Sequence, residues 1–125
     1  MRTILLVEDE APIAQLVLDI LSDLGHRVVT AMHGLEALMH LREVRPDLII
    51  SNVSMPVMDG KELCKQLQSD PELRTIPIVL LSATRSKLDL EECKYTALIE
   101  KPFEVEVLLE TISKTLGEGD STSTS

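Results

Sequence analysis

The 125-residue chain predicts one α/β domain, a parallel sheet covered by helices on both faces. Short apolar runs alternate with longer stretches of helical period, and the alternation repeats five times along the chain. Proline or glycine marks the ends of several helical stretches.

The first run, "TILLV" at 3–7, reads as a buried strand. In "PIAQLVLDILSDLG", Ile13, Leu16, Val17, Ile20, Leu21 and Leu24 fall at helical spacing, with Pro12 in the first turn and Gly25 as the stop. A second strand, "RVVTA" at 27–31, precedes a helix in "GLEALMHLREV" that must end before Pro46. "DLIIS" at 47–51 is the third strand, followed by a helix from about Gly60 to Ser69. "IPIVLLS" at 76–82 is the fourth strand, and Thr84 to Tyr95 is weakly helical. "ALI" at 97–99 is a short fifth strand. "EVEVLLETISKTL" closes the domain with Val105, Leu108, Leu109 and Ile112 on one helical face. Residues 1–117 form the domain on this reading. The polar "GEGDSTSTS" end makes 118–125 a disordered tail, a linker or an expression remnant.

Composition excludes several function classes. A net charge of −9 opposes direct nucleic-acid binding, which needs a cationic footprint. Tyr95 and Phe103 are the only aromatics, so there is no stacking platform for single strands and the core must be aliphatic. No apolar run is long enough to span a bilayer, and three acids follow the first strand where a signal peptide would need small residues. Cys64 and Cys93 fit no metal or redox spacing and are expected as reduced thiols of a cytoplasmic protein.

In parallel sheets of this kind, ligands bind outside the carboxyl ends of the strands. Glu8, Asp9 and Glu10 follow strand one, Asn52 follows strand three, Ser82 ends strand four, and Glu100, Lys101 and Pro102 follow strand five. Adjacent carboxylates such as Glu8 and Asp9 are hard oxygen ligands suited to Mg²⁺. A hydroxyl and an ammonium, Ser82 and Lys101, suit the oxygens of a phosphoryl group. A nucleophile is missing: Asn52 stands where a carboxylate could accept that group.

With "LLVEDE", "PDLIISNVSMPVMDG", "IPIVLLSA" and "EKPF" in place, the chain resembles the receiver domains of bacterial two-component response regulators, of the chemotaxis-regulator type, over residues 2–116. The resemblance implies a doubly wound, flavodoxin-like sheet of order 2-1-3-4-5 with about five helices. It implies that Glu8, Asp9, residue 52 and the Ser54 carbonyl hold Mg²⁺, and that Asn52 occupies the phosphoacceptor position. Ser82 then matches the switch hydroxyl and Lys101 the invariant lysine, aimed by a cis peptide before Pro102. The implied partners are a histidine kinase or phosphotransfer protein, and an output domain or protein on the helix 4–strand 5–helix 5 face. Neither nucleic acid nor membrane is among them.

Three departures qualify the resemblance. A neutral carboxamide at Asn52 cannot form an acyl phosphate, and it removes one negative charge from the Mg²⁺ site. Leu98 stands where many receivers have a mobile aromatic. The Ser82–Lys101 segment is short and lacks the Gly-Ala before strand five, so helix 4 is expected to be short or irregular.

Plainer readings compete at each point. The acidic triplet could simply favour a helix start. Ser82 could serve a turn, Asp59-Gly60 a turn and helix start, Met55 and Met58 loop packing, and Leu98 the core. His26, His33 and His40 share no ligand spacing. Two functions remain: a phosphorylation-dependent receiver blocked at Asn52, or a pseudo-receiver acting as a phosphate-independent interaction module. A Mg²⁺-dependent phosphohydrolase would need D-x-D after strand one, where this chain has "VEDE". A flavin module would need a phosphate loop that three acids repel. The chain is therefore read as a non-enzyme.

Overall fold

A computed structural model describes residues 2–82 and 93–117. Five parallel strands, β1 (Thr3–Val7), β2 (Arg27–Ala31), β3 (Leu48–Asn52), β4 (Ile78–Ser82) and β5 (Ala97–Glu100), form one sheet of order β2-β1-β3-β4-β5. Four helices lie among the described residues: α1 (Ala11–Asp23), α2 (Gly34–His40), α3 (Gly60–Gln68) and α4 (Val105–Leu116). The additional helix expected between β4 and β5 falls mainly on residues 83–92, outside the described set, as does the tail from 118.

The side-chain alternation of β1 sorts the core into two layers. Leu5 and Val7 face one side, with Ile49, Ile78 and Leu80, and are covered by Ala37 of α2 and by Leu63, Cys64 and Leu67 of α3. Ile4 and Leu6 face the other, with Leu48, Ile50, Val79 and Leu81, under Val17 and Leu21 of α1 and Leu108 and Ile112 of α4. β3 and β4 are buried along their whole length. They lie inside the sheet with helices on both faces, so continuous apolar runs are the sequence that fits.

Each helix has a local cause. Pro12 opens α1, and Gly25 closes it at φ 91°, donating its N–H to Ser22 O at 2.9 Å. His33 caps α2, its Nδ1 accepting from Glu36 N at 3.2 Å. Asp59 caps α3, its carboxylate accepting from Glu62 N at 2.9 Å. Between β3 and α3, Val57 holds φ at 67° while 73% exposed, a left-handed conformation that a β-branched residue rarely adopts.

Leu16 and Leu24 share the helical spacing of the apolar residues of α1 yet are 50% and 58% exposed. Leu16 sits about 100° around the helix from Val17, and Leu24 is the C-cap, past the turns packed on the sheet. Leu98, expected in the core, is 40% exposed, because β5 is an edge strand and Ile99 takes the buried position. Cys64 and Cys93 are not free thiols but a disulfide joining α3 to the residues before β5. The fold brings positions 29 apart in sequence to a Cα–Cα distance of 5.6 Å, which spacing alone does not reveal.

Candidate functional site

Register places the polar residues on one rim. Val7 pairs with Ser51 across β1 and β3, Asn52 with Leu81 across β3 and β4, and Ser82 with Glu100 across β4 and β5. Glu8, Asn52, Ser82 and Lys101 therefore leave the sheet at the same end. Backbone bonds extend the ladder into the rim: Glu8 N to Ala31 O at 2.9 Å, Val53 N to Leu81 O at 2.8 Å, and Lys101 N to Ser82 O at 2.6 Å. The Lys101-Pro102 peptide is cis.

Asn52 is the centre of the arrangement. Its Nδ2 donates to Glu8 Oε2 at 3.2 Å, to Asp9 Oδ1 at 3.0 Å and to the Ser54 carbonyl at 3.1 Å. Its Oδ1 is buried with no hydrogen-bond partner among the described residues. Lys101 Nζ donates to Glu8 Oε1 at 3.1 Å, and Glu10 N donates to Glu8 Oε2 at 3.1 Å. Burial raises the Glu8 pKa above its ordinary value, with Asp9 adding to the rise. The Glu10 N–H and the Lys101 ammonium work against it.

Sequence reasoning named Glu8, Asp9, Asn52, Ser54 and Lys101, and the structure brings these five into direct contact. Ser82, 1% exposed, ends β4 on the same rim. Gly60 was read only as a helix start, and its closer role was missed. A Cβ there would collide with the Asn52 carbonyl oxygen and lie 2.9 Å from Val53 Cα, so glycine lets α3 abut the end of β3. The Asp-Gly pair signalled a turn and gave no sign of this contact. Also unanticipated is a cavity of about 490 Å³ beside the rim, where Leu16, Ile13, Pro102 and Phe103 meet Glu10, Asn52, Ser54 and Lys101.

The sequence matches the model of the response regulator receiver domain family over residues 4–113. The chain belongs to that family. The receiver is 36% identical to the polar-differentiation response regulator DivK of Brucella anthropi, the match covering 94% of this chain and 98% of that protein. Among solved structures it is similar to the signal receiver domain of a signal transduction histidine kinase from Syntrophus aciditrophicus. That match has 38% identity and a TM-score of 0.88, covering 94% of this chain and 91% of that one. It is also similar to the receiver domain of sensor histidine kinase PA1611 from Pseudomonas aeruginosa, at 26% identity and a TM-score of 0.85, covering 93% and 98%. That structure carries a magnesium ion coordinated in its active-site cleft.

The fit of this receiver's own residues to such an ion is decided by Asn52. The three oxygens suited to a hard cation already converge on an amide NH₂, which is a donor and cannot ligate. In this arrangement the residues do not fit Mg²⁺.

Proposed function

We propose that this receiver is blocked at its phosphoacceptor position, so that it stays in its unphosphorylated form. The reading is carried by the convergence of Glu8, Asp9, the Ser54 carbonyl and Asn52, with Lys101 reached through Glu8. A carboxylate at position 52 would be a nucleophile for a phosphoryl group offered by a histidine kinase or phosphotransfer protein. Lys101 and the Ser82 hydroxyl would grip the transferred oxygens. The carboxamide is neutral, its nitrogen lone pair is delocalised into the carbonyl, and no acyl phosphate forms on it. Loss of that charge also weakens Mg²⁺ binding.

On this reading the domain is a regulatory partner and not an enzyme. It acts in the cytoplasm, a reducing compartment that disfavours the Cys64–Cys93 bond. Its contacts are with proteins and involve neither nucleic acid nor membrane. No helix among the described residues is long and apolar enough to cross a membrane. Output contacts use the face of β5 and α4, where Leu98, Val105 and Val107 are 40%, 36% and 45% exposed.

Intact mass after incubation with Mg²⁺ and a small phosphodonor tests the block on this chain and on Asn52→Asp. Phosphorylation of the variant alone supports it, and phosphorylation of neither overturns it. Leu98 supports a second reading, a phosphate-independent interaction module, because a leucine at that position supplies no aromatic switch. Partner binding unchanged by a phosphorylated Asn52→Asp chain would favour that reading.

A further inference from the structure

We propose that the Asn52 carboxamide is a built-in substitute for the divalent cation, holding Glu8, Asp9 and the Ser54 carbonyl together without metal. The inference rests on the receiver reading of those three groups as the metal-binding set.

The argument starts from charge. Glu8 and Asn52 are 3% and 4% exposed, so the Glu8 carboxylate lies where little water can screen it, beside the half-buried Asp9. Two adjacent carboxylates in such a place require positive charge or donors. Lys101 supplies one ammonium, on Glu8 Oε1. The Glu10 N–H donates to Glu8 Oε2 at 3.1 Å, and that oxygen, Asp9 Oδ1 and Ser54 O all lie 3.0–3.2 Å from Asn52 Nδ2. An amide nitrogen has two hydrogens, so three acceptors share them.

The orientation of the amide follows from the same chemistry. Turning it by half a revolution would press Oδ1, itself an acceptor, against two carboxylate oxygens. Among the described residues Oδ1 has no hydrogen-bond partner, so there the amide is held by Nδ2 alone. Mg²⁺ must therefore displace the residue's own donor before it reaches these oxygens. Asn52 then acts as a competitor of the ion, and not merely as a poorer ligand for it.

The two roles predict opposite results for Asn52→Ala, which keeps the charge of Asn but removes the whole amide. A competitor's removal tightens Mg²⁺ binding, by about tenfold if the lost contacts are worth one charge-assisted hydrogen bond. A ligand's removal weakens it. Mg²⁺ titration by calorimetry on the full chain, Asn52→Ala and Asn52→Asp reads this directly. Tighter binding by Ala than by Asn supports the proposal. Tight binding by Asp with Ala no better than Asn overturns the proposal and leaves the receiver reading intact. No binding by Asp overturns the receiver reading of the acidic set, and the proposal with it. A second measurement needs no variant: the Asn52 side-chain NH₂ resonances of the native chain in chelator. Slow solvent exchange that speeds up at saturating Mg²⁺ supports displacement, and fast exchange in chelator overturns it.

Discussion

Lys101 Nζ donates to Glu8 Oε1 at 3.1 Å although their strands, β5 and β1, are separated in the sheet by β3 and β4. The lysine side chain reaches across two strand ends and is only 12% exposed, while that of Glu8 is fully buried. Lys101→Met should leave the Glu8 charge without a counterion and cost about 3 kcal/mol, the scale of a broken buried pair. The double variant Glu8→Gln/Lys101→Met should recover most of that loss. Urea unfolding of the two variants checks it, and equal losses in both would remove the pair from the account.

The raised pKa of Glu8 makes stability depend on pH in a definite direction. A carboxyl that binds its proton more tightly when folded favours the native state at low pH. Its stabilising contribution is fully present below 4.5, the ordinary value, and is lost as pH rises through the raised native value. In chelator-treated buffer, the stability of the native chain relative to Glu8→Gln should therefore fall across that window and then level off. A difference that grows with pH would reverse the sign assigned here.

Gly60→Ala should be the most damaging small substitution near the site. The added methyl meets backbone at the end of β3, which cannot rotate away as a side chain can. A cost of about 1–3 kcal/mol is expected from overpacking. Chemical denaturation measures that cost, and displaced Asn52 amide resonances in the variant would locate it.

Val57 invites the opposite experiment. At φ 67° it pays the steric penalty of the left-handed region, and its exposed side chain makes little packing in return. Val57→Asn should raise stability by about 1 kcal/mol, since Asn tolerates that conformation. An unchanged melting temperature would show that the loop relaxes without strain.

The disulfide closes a span of 29 residues and should contribute roughly 3–4 kcal/mol in the loop-entropy account. Urea midpoints with and without reductant, compared with Cys64→Ala/Cys93→Ala, test it. Reduction should shift the native chain and leave the double variant unmoved.

What the sequence made legible was whatever depends on period and on strand ends. Continuous apolar runs identified β3 and β4, and the topology of a parallel sheet gathered Glu8, Asn52 and Lys101 without a structure. Contacts set by tertiary placement were not legible. Leu98 looked like core because "ALI" does not show which of its residues turns inward, although the implied strand order already put its strand at the edge. The Cys64–Cys93 bond depends on where α3 comes to rest. The orientation of the Asn52 amide depends on three acceptors drawn from two loops. Gly60 was visible as a residue, but the Asn52 carbonyl it accommodates was not.

The cross-link also changes what the molecule is as a thread. A pull on the two ends of the oxidised chain passes from Cys64 through sulfur to Cys93 and leaves β4 carrying no tension. The 29-residue span withholds roughly 100 Å of contour from the extended polymer. Force spectroscopy on single molecules would thus report the oxidation state of the pair as a length.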